Sequence, residues 1–145
     1  FVKEYNLKPR NHIGVEMYYR LFISDVLPDI EKAIYLDADL VVNADLLDLY
    51  SINLGGNILG AVYNGTINYS AKKIIARLET DPREYINSGV LLIDVKNFRK
   101  NNIKDQSLDF LTINPNLSNP DQDALNKVCE GRIKLLPLKW NYIWL

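Results

Sequence analysis

Short apolar runs set at intervals along the chain most constrain its fold: AIYL at 33–36, ILGAVY at 58–63 and SGVLLIDV at 88–95. The first has no polar alternation, so it reads as a strand covered on both faces rather than half-exposed. The second reads as another buried strand and the third as a strand of the same kind. RIKLLPL at 132–138 adds a last short one. Between them lie segments with helical spacing. VEMYYRLFISDVL carries Val15, Tyr18 and Phe22 on one helical face, with Asn11 as a possible cap and Pro28 as the stop. DLLDLY at 45–50 is a short helix, Gly55-Gly56-Asn57 a turn, and YSAKKIIARLE at 69–79 a helix. Two more helices fill 96–112. NPDQDALNKVCEG is a well-punctuated helix, with Asn119 at N-cap, Pro120 at its first position and Gly131 past its end. Strands alternating with helices predict an α/β protein with a mixed, mostly parallel sheet flanked by helices. No repeat, low-complexity tract or linker interrupts residues 1–145, so a single domain is expected.

Composition excludes several classes. At 48% apolar and 24% charged residues the chain is neither disordered nor fibrous. A net charge of −1 offers no field for nucleic acid. No apolar run reaches the length of a membrane span, and FVKEYNLKPR has no apolar core of a signal peptide. One cysteine, Cys129, permits no intrachain disulfide and fits a reducing compartment; beside Val128 on the inner face of its helix it reads as inert packing. The chain starts at Phe1 and stops at Leu145, which reads as a segment of something longer.

One stretch resists a purely structural reading. In KAIYLDADLVV, Asp37 and Asp39 follow the first apolar run directly. On a strand they would project to one side, and ligands of open α/β sheets sit beyond the carboxyl ends of strands. Two carboxylates there repel unless a cation intervenes, and Mg²⁺ or Mn²⁺ suits oxygen donors and phosphates. The plainer alternative makes one aspartate a turn cap and leaves the other in water. A second chemistry also fits LDADLV: a haloacid-dehalogenase-type phosphatase, with the first acid as nucleophile and the second as general acid beside Mg²⁺. That pattern needs a later acidic pair, which the capped helix DQDALN matches poorly.

Four segments, in order, resemble glycosyltransferase family 8, the group of glycogenin and of bacterial lipopolysaccharide galactosyl- and glucosyltransferases. VEMYYRLFISDVLPDIEKAIYLDADLVV is similar to the helix and strand that lead into the family's DxD motif. YINSGVLLIDV resembles its Asn-(Ala/Ser)-Gly strand, NPDQDALN its Asp-Gln-Asp helix, and LPLKWNY its Leu-Pro-x-x-(Phe/Trp)-Asn segment. The resemblance implies a nucleotide-diphosphosugar transferase (GT-A-like) fold, incomplete at both ends. It implies transfer of a hexose, glucose or galactose, from a UDP-sugar with retention, to a glycan, lipid-linked or protein acceptor.

The same resemblance assigns residues. Asp37 and Asp39 match the DxD pair that holds Mn²⁺ (or Mg²⁺) against the diphosphate. Arg20 matches an arginine reaching the donor; taken alone it would read as a helix-surface charge. Asn87 and Ser88 match donor-sugar contacts, with Gly89 permitting close approach. Asp121 is implied on sugar hydroxyls and Gln122 beside the anomeric carbon. In local terms Asn119 and Gln122 form a capping box and Asp121 suits the positive helix end. Glutamine is a weak nucleophile, which favours front-face departure and attack over a covalent intermediate. Asn141 is implied on the acceptor side, and Trp140 and Tyr142 read as core aromatics.

Two departures stand out. Asn64 occupies a place where many relatives carry an aspartate that contacts the donor sugar. The family's His-x-x-Gly-x-x-Lys-Pro-Trp segment, which supplies a third metal ligand, is absent, and the one histidine, His12, lies before the DxD segment. The first strands, which cradle uridine, are also missing from the N-terminal part. The chain alone is therefore expected to bind donor weakly and to turn over little or not at all. A non-catalytic, transferase-like binding module is the remaining alternative. A cytoplasmic location is expected, with peripheral contact to the inner membrane face through segments outside this chain. Richness in Asn, Ile and Lys hints at a bacterial source.

Overall fold

The computed structural model describes residues 5, 7, 14–65, 72–73, 75–76 and 78–142. Asn11, His12 and part of the helix expected at 69–79 lie outside the described residues. The first helical stretch is a 3-10 helix, Val15–Phe22, continued by α1 (Ile23–Val26). β1 (Lys32–Leu36), α2 (Leu46–Tyr50) and β2 (Leu59–Tyr63) follow. Then come β3 (Ile86–Asp94), α3 (Val95–Lys100), α4 (Ile103–Ile113) and α5 (Pro120–Val128). β4 (Ile133–Leu136) and a 3-10 turn, Leu138–Trp140, close the described chain.

Local chemistry sets these boundaries. The Asp45 side chain accepts from the Leu47 N–H at 2.8 Å and caps α2. Asp94 does the same for α3, accepting from the Asn97 N–H at 2.8 Å. Asp94→Ala is expected to cost about 0.5–2 kcal/mol of stability, read by urea unfolding. Gly55 and Gly56 take φ of 61° and 88° in the predicted turn, a region that side chains disfavour. Asn102, at φ 52°, makes the left-handed step that separates α3 from α4.

The four described strands form one sheet in the order β1-β3-β2-β4. The mixed α/β class with flanking helices is as expected, but the balance of directions is not. β3 runs antiparallel to both β1 and β2, and only β2 and β4 pair in parallel. Apolar runs register burial on two faces, which a central antiparallel strand shares with a parallel one, so they could not reveal direction. Within β3, Leu91 and Ile93 face one core cluster and Val90 and Leu92 the other. The first cluster gathers Tyr18, Phe22, Phe98 and Leu125; the second gathers Leu49, Leu54, Val62 and Leu136. Period-two alternation between two apolar layers produces an unbroken apolar run. β1 differs from expectation: it is an edge strand of the described sheet and half-buried along its length.

Because β3 opposes its neighbours, its amino end meets the carboxyl ends of β1 and β2. Leu36 pairs with Val90, and Tyr63 with Ile86. The chain after β4 returns to the same edge, where Asn141 donates to Asn87. α5 is buried on every side from Pro120 to Asn126 and packs against that end.

Candidate active site

Arg20 is the centre of this edge. It is buried at 6% exposure, so the helix-surface reading fails. Its Nη1 donates to the Ser88 carbonyl at 2.6 Å and to Ser88 Oγ at 2.7 Å. Nη2 donates to Asp37 Oδ1 at 2.6 Å. Nε donates to the Met17 carbonyl at 3.1 Å and lies 3.1 Å from Asp121 Oδ2. The guanidinium also stacks 4.6 Å from the Tyr35 ring centroid, and the Tyr35 hydroxyl donates to Asp37 Oδ1 at 3.0 Å. Burial pushes the Tyr35 phenol up to about 12, so it remains a donor. One cation thus ties three of the expected site residues, Asp37, Ser88 and Asp121, into a single cluster.

Asp121 sits in the first turn of α5, buried. Burial raises its pKa, and Arg20 opposes that rise, with Ser88 Oγ donating to Oδ2 at 3.3 Å. Gln122 does not form the expected capping box. Its Oε1 accepts from the Ser88 N–H at 3.1 Å and its Nε2 donates to the Tyr85 hydroxyl at 3.1 Å. Asp123 takes the capping place instead, its Oδ2 accepting from the Asn119 N–H at 3.2 Å. The reason is the helix's full burial: Gln122 has buried donors and acceptors on β3 to satisfy, whereas Asp123 reaches back one turn.

A second group lies beside the first. Asn87 Oδ1 accepts from the Gly89 N–H at 2.8 Å and from Asn141 Nδ2 at 2.7 Å. Gly89 is what lets Asp37 lie there, since a Cβ on Gly89 would stand 2.9 Å from Asp37 Oδ2. The Asp37 N–H donates to the Gly89 carbonyl at 2.8 Å, which fixes the chain just past β1. Asn64 is buried directly after β2, its N–H donating to the Tyr85 carbonyl at 2.9 Å.

The two aspartates are not equivalent. Both lie beyond the end of β1, so strand alternation does not govern them. Asp37 is half-buried and bonded, whereas Asp39 is exposed in a turn. Among the described residues no cluster of three or more His, Cys, Asp or Glu side chains forms. A hard divalent ion held by Asp37 and Asp39 would have to draw its remaining oxygen ligands from outside these two residues. Asp37 Oδ1 is taken by Arg20 and Tyr35, while Oδ2 faces the space that Gly89 keeps clear. The expected core role holds for only one of two aromatics. Tyr142 is 70% exposed, and Trp140 is partly buried against the second cluster. Cys129 is buried, and burial raises its thiol to about 12, in keeping with inert packing.

Sequence reasoning missed Tyr35, Tyr85, Asp123 and Asn126. Asn126 Oδ1 accepts from the Ile86 N–H at 2.7 Å, and its Nδ2 donates to the Ile86 and Gln122 carbonyls at 3.0 and 2.9 Å. It is the strut that fixes α5 to the start of β3. A helix whose first turn carries three successive polar residues, Asp121 to Asp123, was the available signal.

A mixed sheet with helices on its faces and a polar cluster at one strand edge is the framework of the GT-A glycosyltransferases. The description "Glycosyl transferase family 8" matches residues 3–145, and the chain belongs to that family. It is 32% identical over 136 residues to general stress protein A of Bacillus subtilis, covering 90% of this chain and 46% of that protein. It is 32% identical over 133 residues to a lipopolysaccharide 1,2-glucosyltransferase of Escherichia coli K12, covering 88% of this chain and 38% of that one. The crystal structure of the galactosyltransferase LgtC, in complex with donor and acceptor sugar analogs, superposes with a TM-score of 0.82 at 29% identity. That match covers 91% of this chain and 49% of LgtC. The chain thus spans under half the length of each. No helix among the described residues is long and apolar enough to cross a membrane.

Proposed function

We propose that this chain carries the donor-sugar face of a retaining hexosyltransferase that uses a UDP-sugar and Mn²⁺ or Mg²⁺, with residues 1–145 forming part of one transferase domain. The observation that supports it most is Arg20, which joins the DxD segment, the Asn-Ser-Gly strand and the Asp-Gln-Asp helix through one buried guanidinium. Asp37 and Asp39 would hold the ion. Such an ion, when bound, neutralises charge on the departing diphosphate.

The remaining groups bind and orient. Asp121 accepts hydrogen bonds from sugar hydroxyls, Asn87 donates to them through Nδ2 because its Oδ1 is already taken by Gly89 and Asn141, Ser88 fixes Asp121, and Asn64 lines the donor pocket. Gln122 presents its amide beside the anomeric carbon, on the Ser88 side of the site. An amide is a poor nucleophile, so leaving group and acceptor share the front face of the sugar, which gives retention. Asn141 steadies Asn87 towards the acceptor side. The acceptor is a glycan, a lipid-linked saccharide or a protein. Taken alone the chain binds donor weakly and turns over negligibly, at a cytoplasmic or inner-membrane-surface location. The phosphatase alternative loses ground because the glycosyltransferase family match runs over residues 3–145.

Calorimetric titration of UDP, with Mn²⁺ and with EDTA, tests this in the intact protein. Mn²⁺-dependent binding should disappear in Asp37→Asn/Asp39→Asn. Binding that ignores both the metal and the double substitution would remove the metal role. Donor binding without any sugar transfer would favour a binding module.

A further inference from the structure

We propose that Tyr85 is a positioning residue that fixes which end of the Gln122 amide faces the reacting sugar. The inference rests on the hexosyltransferase reading and deepens it. A glutamine amide has two nearly isosteric ends, one accepting and one donating, and only its partners decide how it sits. Here the partners leave one arrangement. The Ser88 main-chain N–H can only donate, so the end facing it, at 3.1 Å, is Oε1. The opposite end is then the donor Nε2, which needs an acceptor. It meets the Tyr85 hydroxyl at 3.1 Å.

A phenol accepts cleanly only when its own proton is committed elsewhere. Tyr85 commits it to Asp123 Oδ1 at 2.5 Å. Asp123 acts as acceptor on both oxygens, because Oδ2 takes the Asn119 N–H. Burial and the neighbouring Asp123 push the Tyr85 phenol far above its ordinary value, so that proton stays in place. Asp123, Tyr85, Gln122 and the Ser88 N–H therefore form a directed chain in which each donor has one acceptor. The chain is buried throughout: Tyr85 is 3% exposed, Asp123 1% and Gln122 6%. None of its links uses Arg20, Asp37 or Asp39, the groups assigned to the diphosphate and the ion. Orientation of the amide is thus separable from donor binding. Without the phenol, Nε2 loses its acceptor and the amide is held at its Oε1 end alone.

The test uses the intact protein and Tyr85→Phe in two arms. In the first, NMR follows hydrogen exchange of the Gln122 side-chain amide, assigned by its loss in Gln122→Ala. Exchange is slow in the native protein and fast in Tyr85→Phe, while the Asn126 side-chain amide stays slow as the control for an intact fold. In the second, sugar transfer is measured. Tyr85→Phe should lower kcat on the order of 100-fold with donor KM changed less than about twofold, the pattern of a misplaced group rather than a lost binding contact. Adding Tyr85→Phe to Gln122→Ala should lower kcat no further. A purely structural tyrosine would slow both backgrounds alike, and that result overturns the proposal. So does Gln122 amide exchange that ignores Tyr85→Phe. A native protein that transfers no sugar overturns the hexosyltransferase reading itself, and with it Tyr85's place in the reaction; the unsubstituted assay alone reveals this.

Discussion

Arg20→Ala should lower the unfolding free energy by about 3–5 kcal/mol, because it strands a buried carboxylate and several acceptors at once. The substitution removes the partner of Asp121, of Asp37 and of the Ser88 carbonyl, all within 3.1 Å of the guanidinium. Arg20→Lys should restore little, since one ammonium cannot reach three groups in the directions a planar fork does. The loss should also depend on pH in a stated direction. Burial already raises the Asp121 pKa, and Arg20 is the main influence holding it down. Removing Arg20 raises it further. An acid whose folded pKa lies above its unfolded value binds more protons when folded between the two values, so stability falls as pH rises through that window. The Arg20→Ala deficit should therefore shrink as pH is lowered through that window. Urea unfolding at several pH values reads this directly. A deficit that stays flat with pH would show that Asp121 is not the stranded group.

Gly89→Ala should separate ligand binding from folding. The added Cβ would stand 2.9 Å from Asp37 Oδ2, 3.0 Å from Asn87 Oδ1 and 3.7 Å from Asn141 Nδ2. All three neighbours are ends of side chains, so the strand need not move, but Asp37 must. On the proposed donor site, Mn²⁺-dependent UDP affinity should fall by about 10–100-fold, the usual cost of displacing a group that orients a metal ligand. The melting temperature should change little. Titration calorimetry beside thermal unfolding checks both. Unchanged affinity would mean that Asp37 Oδ2 does not face the ligand.

Much of this arrangement was legible in the sequence, for identifiable reasons. Strands were readable because β2 and β3 separate two apolar layers, which leaves no polar position to break the run. Their direction was not, because burial is blind to it. α5 was readable from Pro120 and Gly131, yet its capping partner was misassigned. Spacing pointed to Gln122, whereas tertiary partners on β3 claimed that side chain and left the role to Asp123. Arg20 illustrates the same limit. Nothing local distinguishes a buried arginine from a solvated one on a short helix. Its partners lie 17, 68 and 101 positions away in the chain, at Asp37, Ser88 and Asp121. Asp39 marks the opposite error, since alternation was applied where the strand had already ended.

The position of β3 has a consequence for how the site behaves over time. Leu91–Ile93 are paired on both sides, so their amides should exchange with solvent among the slowest in the chain. Ser88 and Gly89 belong to the same strand, at the register shift against β2, and Asn126 and Gln122 are bonded onto its start. That wall of the site is held by buried hydrogen bonds from Arg20, Gln122 and Asn126. Across from it, Asp39 occupies an exposed turn followed by the exposed Val41 and Val42. The site has one stationary wall and one compliant wall. The entropy lost on ligand binding should fall almost wholly on the turn that carries Asp39, leaving the groups nearest the sugar already set before the ligand arrives.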